Sequence, residues 1–300
     1  MMKARDLIKE TLSRIVLIPQ RPHNREEDIL AHIEDGYNVC VCDFYVQGAE
    51  KSKVKEYGLV GEKMMHIDHH SPLDDMKKHV SSGNLACTYA RQNGPLDSSY
   101  KIVLNHTDCD SILSSLIMLG ILKPERRFEE AVIAADHTGD ENKIADLLQS
   151  IEHTRDLDFI LDNLFNLLEG REIDETAKEM LLQRREMRRS LKEEIDKGNY
   201  HKVGSVSYMV DSKRLDPAMF ASLLPESKAV FTAKKRDNGR WSIRIRLGKE
   251  IDDMSLHDLD LPDFGGRWNA GSTRRHNGTE IEPKRYAEIL DSEIKKKVSD

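Results

Sequence analysis

The stretch Met64-Met65-His66-Ile67-Asp68-His69-His70-Ser71 decides how this chain reads. Three ionisable residues directly follow a short apolar run, an arrangement too costly for an ordinary loop. Met64–Ile67 reads as a strand, with Asp68, His69 and His70 at its carboxyl end, the edge of an open α/β sheet where ligands sit. Three other stretches repeat the plan. Asn38–Cys42 (NVCVC) runs into Asp43, residues 101–104 (KIVL) run into 105–111 (NHTDCDS), and residues 131–135 (AVIAA) run into 136–140 (DHTGD). Four apolar strands ending in Asp or His would set carboxylates and imidazoles along one rim of one sheet, which is the outline of a metal site.

A chain of 300 residues predicts two domains, because single cores typically stop growing beyond about 250 residues. The 33% charged and 6% aromatic fractions fit a globular protein with long charged helices. The longest apolar stretch, 112–122, is broken by Ser114 and Ser115 and falls short of the roughly 20 residues that cross a bilayer. The expectation is therefore a cytoplasmic protein without a membrane partner. Cys40, Cys42, Cys87 and Cys109 lack the spacing of a zinc site and read as buried free thiols. A net charge of −7 argues against broad binding to duplex nucleic acid, but leaves room for a local basic pocket for a short phosphorylated ligand.

In chain order the pattern predicts an N-terminal helix over 1–14, a strand over 15–18 and a short helix over 25–33. The strands of the first paragraph follow, with helices around 84–92 and 112–122 between them. Strands alternating with helices imply βαβ units and a parallel sheet. Residues 142–169 read as helical, and 173–197 as one long helix stopped by Gly198. Its cluster of Arg184, Arg185, Arg188 and Arg189 reads first as a solvated face paired with nearby Glu. A smaller mixed α/β domain follows, with strands Val206–Val210, 229–233 and Trp241–Leu247, a hairpin turn at Asp237-Asn238-Gly239 and a final helix over 283–298. In Trp241–Leu247, Ile243, Ile245 and Leu247 face one way; Arg244 and Arg246 face the other, either as a solvated face or as phosphate contacts. The expected division is 1–172, a metal-binding catalytic domain; 173–198, a connecting helix; and 199–300, a substrate-binding domain.

In an extended segment residues i and i+2 share a side, so His106, Asp108 and Asp110 can converge on one cation. Oxygen and imidazole donors without thiolates suit Mn²⁺, Fe²⁺ or Co²⁺. With Asp43, His69 and Asp136 added, there are more donors than one ion needs. Two ions about 3.5–4 Å apart with a bridging carboxylate use them all and favour phosphoryl-ester hydrolysis.

Asp68-His69-His70 after a strand, HTDxDS at 106–111, Asp43 after a strand and the glycine segment Phe264-Gly265-Gly266-Arg267-Trp268-Asn269-Ala270-Gly271 together resemble the DHH phosphoesterase superfamily. The resemblance spans nearly the whole chain. It implies a parallel-sheet catalytic domain, a helical linker and a smaller C-terminal domain. It implies two Mn²⁺ ions, with Mg²⁺ or Co²⁺ as substitutes: His106, Asp108 and Asp43 would hold one, and Asp110, His69, Asp136 and the bridging Asp43 the other. His70 would face the substrate phosphate, Asp68 would orient a ligand or water, and Gly265, Gly266 and Arg267 would bind substrate; Arg246, read from its strand face, joins that set as a phosphate contact. The implied partners are a small phosphorylated substrate or a short single-stranded nucleic acid, and a homodimer is compatible. The family also holds exopolyphosphatases and pyrophosphatases, and a noncatalytic nucleotide-binding relative is the further alternative. Three departures stand out. HTDCDS follows the other motifs instead of lying on the first strand, so either the 101–104 strand takes the central place in the sheet or His23 of the first loop joins the site and HTDCDS is less central. Arg267 replaces the usual His of the glycine motif. Asp140 competes with Asp136 as ligand.

Overall fold

A computed structural model describes residues 9–21, 24–33, 36–70, 80–210, 215–249, 251 and 254–299. The expected N-terminal helix lies largely outside these residues, as does His23. The chain falls into two compact units: one of residues 1–136 and 141–181, the other of 137–140 and 182–300.

The first unit is built on a six-stranded sheet. Its strands are β1 (Ile15–Leu17), β3 (Asn38–Cys42), β5 (Lys53–Lys55), β6 (Gly58–Val60), β7 (Met64–Ile67) and β8 (Tyr100–Leu104), in the order β1-β8-β3-β7-β6-β5. The two-residue strands β2 (Asn24–Arg25) and β4 (Val46–Gln47) pair separately. The four strands β1, β8, β3 and β7 are parallel, so their carboxyl ends share one edge. β6 and β5 add an antiparallel edge that the apolar pattern did not predict. β8, the strand that carries HTDCDS, lies between β1 and β3, second from one edge of the six and not in the expected central place.

Both faces of this sheet are covered, which is why its strands read as unbroken apolar runs. Val39, Val41, Met64 and Val103 pack with Ile29 and Phe44 on one face. Cys40, Cys42, Met65, Ile67, Ile102 and Leu104 pack on the other, beneath the helices. The helices of this unit are α1 (Glu26–Leu30), α2 (Ser82–Asn93), α3 (Cys109–Met118), α4 (Arg126–Ile133), α5 (Lys143–Ile151) and α6 (Leu157–Leu168), with the start of α7 (Glu175–Asp196). Four of them begin where a side chain accepts the free amides of a first turn: Ser81 for α2, Asp108 for α3, Asn142 for α5 and Asp156 for α6.

Residues 131–135 correct one expectation. They are not a strand: α4 runs to Ile133, and a π-helical turn covers Ala134–Thr138. Phe128, Ala131 and Val132 are the buried positions of α4, a three- and four-residue spacing, while Glu129 and Glu130 lie on its more exposed side. An apolar run of five residues cannot by itself distinguish a buried strand from the end of an amphipathic helix.

The second unit holds a sheet of order β13-β14-β12-β11-β10-β9, from β9 (His201–Val203), β10 (Val206–Val210), β11 (Ala229–Lys235), β12 (Trp241–Leu247), β13 (Gly265–Gly266) and β14 (Ala270–Ser272). One face carries Phe231, Ile243 and Ile245 against Tyr286, Leu290 and Ile294 of α9 (Pro283–Ser299). Val230 and Met209 face the other way, against Met219 and Phe220 of α8 (Pro217–Leu223) and Leu191 of α7. α8 was not predicted, although Asp216-Pro217 is a readable start: Asp216 accepts from the Ala218 amide at 2.9 Å and Pro217 sits at the first helical position. The face that carries the two arginines is thus only partly covered: Arg246 is buried while Arg244 is exposed.

Candidate metal centre

Adjacent strand ends bring the Asp and His residues together. β3, β7 and β8 are neighbours, so Asp43, the Asp68-His69-His70 triplet and His106-Thr107-Asp108 leave the sheet side by side. Asp43 is buried and lies at φ 63°, a left-handed conformation that Asp tolerates better than most residues. Its Oδ2 is 3.1 Å from His106 Nε2, and its Oδ1 is 3.5 Å from His69 Nε2. His106 Nε2 is also 3.1 Å from Asp108 Oδ2. The sets Asp43, His106, Asp108 and Asp43, His69, His70 each present ligand atoms within 4.8 Å of one another. Asp43 belongs to both.

Each histidine presents one nitrogen to the cluster and anchors the other. His69 Nδ1 lies 2.9 Å from the Val80 carbonyl oxygen, and His106 Nδ1 is hydrogen-bonded to Asn105 Oδ1. Metal-bound histidines characteristically give their second nitrogen to such an acceptor, which fixes the tautomer and the ring plane. Arg155, from the turn after α5, donates to the carbonyls of Ile18 and Asn105 at 3.2 and 3.1 Å, tying down the ends of β1 and β8.

Asp110 reaches the cluster by a route other than the one expected. The extended geometry assumed for His106, Asp108 and Asp110 ends at Asp108, which caps α3 by accepting from the Ser111 amide at 2.9 Å. Asp110 therefore lies in the first turn of a helix. Its two oxygens accept the amides of Ser82 (2.9 Å) and Gly83 (2.6 Å), and Oδ2 is 3.9 Å from His69 Nε2. Asp136 comes to the cluster from the π-helical turn, not from a strand end, with Oδ2 3.4 Å from His69 Nε2. Asp140 instead pairs with Lys249 at 3.2 Å.

Asp68 is buried and holds His70: its Oδ1 accepts from His70 Nδ1 at 2.8 Å and from the His70 amide at 3.0 Å. Burial pushes the Asp68 carboxyl up, but His70 and His69 outweigh it and hold it below its ordinary value. The His70 side chain is 33% exposed against 5% for His69, so it is the member of the triplet that a ligand can meet.

The electrostatics of the donor set fit a cation. Burial raises the Asp110 carboxyl well above its ordinary value, and the nearby Asp43, Asp136 and Asp108 add to the rise. Burial would lower His106, yet Asp108 and Asp43 together raise it to about 11. Asp108 is likewise pushed up by burial but held down by His106 and by the Ser111 bonds. Carboxylates gathered this closely need compensating positive charge, which in the protein alone comes from protonated imidazoles. Oxygen and imidazole donors with every described cysteine buried suit a hard or borderline divalent ion.

The residues expected to bind substrate lie in the second unit. Gly265-Gly266 forms β13 and pairs with β14, and the Arg267 amide donates to the Ala270 carbonyl at 2.7 Å to close the turn. A Cβ at Gly266 would sit 2.3 Å from the Ala270 oxygen, and one at Gly271 2.4 Å from the Phe264 ring. Tight hairpin pairing thus accounts for these two glycines. Asn269 Nδ2 lies 3.0 Å from His137 Nδ1, and Trp268 stacks on that imidazole with centroids 5.9 Å apart. In the arginine cluster, Arg189 pairs with Glu186 and Glu193 as a solvated face would. Arg184 faces Asp216 at 3.7 Å, and Arg188 is buried and donates to the Gly139 carbonyl at 2.8 Å.

Two residues to which the sequence assigns no role, Ser82 and Ser111, hold the Asp43 carboxylate. Ser82 Oγ donates to Asp43 Oδ1 at 2.9 Å, and Ser111 Oγ to Asp43 Oδ2 at 3.1 Å. Ser111 was inside the HTDxDS motif but had no role assigned. Ser82 had only the Ser81-x-x-Asn84 capping pattern beside it to mark it.

No protein-family model matches the sequence, and no curated protein matches it. Among solved structures, the chain is similar to the pGpG-specific phosphodiesterase PggH of Vibrio cholerae, with 12% identity and a TM-score of 0.39 over 69% of this chain and 83% of that one. It is also similar to an uncharacterized protein from Helicobacter pylori G27, with 9% identity and a TM-score of 0.23 over 88% of this chain and 99% of that one.

Proposed function

We propose that the chain is a Mn²⁺-dependent phosphoesterase of the DHH type that hydrolyses phosphodiester bonds in short oligonucleotides or dinucleotides. The observation that carries this reading is Asp43, a buried carboxylate with one oxygen toward His106 and the other toward His69, as a bridge between two cations requires. Asp43, His106 and Asp108 would hold one ion, and Asp43, His69, Asp110 and Asp136 the other. Such a pair supplies charge neutralisation at the phosphoryl oxygens and an acidified water as nucleophile. Hydrolysis then adds water oxygen to phosphorus and breaks the ester P–O bond. The leaving oxygen takes a proton, which His70 would give from Nε2 as an imidazolium whose Nδ1–H is held by Asp68. Arg267 is assigned to substrate binding, so Arg267→Ala is expected to raise KM more than it lowers kcat.

The test is hydrolysis, with Mn²⁺, of a 5′-phosphorylated dinucleotide, a short RNA and polyphosphate by the full chain. Turnover of the dinucleotide or RNA, abolished in Asp68→Ala and Asp110→Ala, is the expected result. Faster turnover of polyphosphate would reject the substrate assignment, and two bound metals with no turnover of any of the three would reject catalysis.

A further inference from the structure

The first turn of α2 contacts two of the clustered carboxylates at once. Ser82 donates its amide to Asp110 Oδ2 at 2.9 Å and its hydroxyl to Asp43 Oδ1 at 2.9 Å, while the Gly83 amide reaches Asp110 Oδ1 at 2.6 Å. We infer that this turn is a positioning element of the metal centre, in which Ser82 sets the plane and spacing of the Asp43 and Asp110 carboxylates. The inference rests on the metal-dependent reading above.

The needs of the helix itself do not explain the Ser82 hydroxyl. The cap of α2 is already complete: Ser81 accepts from the Asn84 amide, and the Asn84 side chain accepts from the Ser81 amide at 3.0 Å. The Ser82 hydroxyl, like the Ser82 and Gly83 amides, serves another element. Together with Ser111 Oγ at 3.1 Å, it gives each Asp43 oxygen a single hydroxyl donor, which fixes the rotation of the carboxylate. Asp110 is held through both oxygens, so it cannot turn away from Asp43, although the two acids repel. The positive end of a helix lowers the cost of keeping an anion there. Hydrogen-bonded groups behind metal ligands typically contribute about 10- to 100-fold in metal affinity.

The test is titration of the full chain with Mn²⁺, by calorimetry and by the electron paramagnetic resonance signal of the bound ions. Ser82→Ala removes only the hydroxyl, Ser82→Thr keeps it, and Ser82→Pro removes both donors. Pro fits the first helical position, and the preceding Ser81 is already extended at ψ 170°. The expected result is unchanged circular dichroism, Mn²⁺ binding weakened by about 10- to 100-fold in Ser82→Ala, at least as much in Ser82→Pro, and recovery in Ser82→Thr. A wild-type chain that binds Mn²⁺, with Ser82→Ala binding as tightly and giving the same signal, overturns the inference alone. A wild-type chain that binds no Mn²⁺ overturns the metal reading and this inference with it.

Discussion

His106 carries a proton that a cation must displace. Asp108 and Asp43 raise its imidazole to about 11, so at neutral pH the metal-free residue is charged, whereas a metal ligand must be neutral. Mn²⁺ binding should therefore release about one proton or more per chain at pH 7, and affinity should climb as pH rises. Calorimetry in two buffers of different ionisation enthalpy measures this directly, and equal heats in both would contradict it. The same shift fixes the sign for the metal-free fold. The folded value lies above the unfolded one of about 6.5, so the contribution of His106 to stability is complete below that pH and is lost as pH rises toward 11. Asp43→Asn keeps a residue that tolerates the left-handed backbone but removes the shared charge. It is expected to weaken Mn²⁺ binding on the order of 100-fold or more, read by calorimetry.

Among the elements, legibility followed the strength of the local signal. Asn38–Cys42, Met64–Ile67, Val206–Val210 and Trp241–Leu247 were readable to the residue because apolar or alternating runs end there in polar ones. Residues 131–135 read as a strand because Ala, Val and Ile suit a strand as well as a buried helix end; the helical signal lies just upstream, in Glu129 and Glu130. The antiparallel pair β5 and β6 escaped notice because β5 is exposed along its length and leaves no apolar pattern. In the candidate metal centre the clustering of Asp and His was legible, since such residues after apolar runs are conspicuous. The serines that orient them were not, since a hydroxyl bonded across an element leaves no spacing in the sequence. The same kind of contact holds β9 and β10 to α9: Asp291 of α9 accepts from the Ser205 amide and hydroxyl at 2.8 Å each. Burial raises the Asp291 carboxyl, but the Lys295 and Ser205 bonds outweigh it and lower it. Its contribution to stability is present above the unfolded carboxylate value of about 3.9 and is lost as pH falls through the lower folded value. Asp291→Asn should thus lower the melting temperature at pH 7, with the gap to wild type closing as the solution is acidified below about pH 4. Gly204→Ala probes the same turn. Gly204 sits at φ 56°, and a Cβ there would lie 2.2 Å from Asp291 Oδ2, so a loss of about 1–3 kcal/mol is expected in urea unfolding.

At the scale of the molecule, two compact units argue against a single two-state transition. Mn²⁺ bound to the first unit should raise the transition of that unit, by about 2.7 kcal/mol when the free ion is at 100 times its Kd, and EDTA should reverse the shift. The transition of the second unit should move less, which differential scanning calorimetry of the full chain resolves. No helix among the described residues is long and apolar enough to cross a membrane. The sequence made the α/β class legible because covered sheets and amphipathic helices write themselves into hydrophobic periodicity. It left α8 unread, and with it the covering of Arg246, because a seven-residue helix spans barely two turns.

The most direct measurement is diffraction from crystals grown with Mn²⁺, recorded at the manganese absorption edge. Two anomalous peaks should flank Asp43, one within coordinating distance of His106 and Asp108, the other of His69 and Asp136. Peaks absent from this cluster, or Asp43 ligating no ion, would contradict the claim that neighbouring strand ends build a shared two-metal centre.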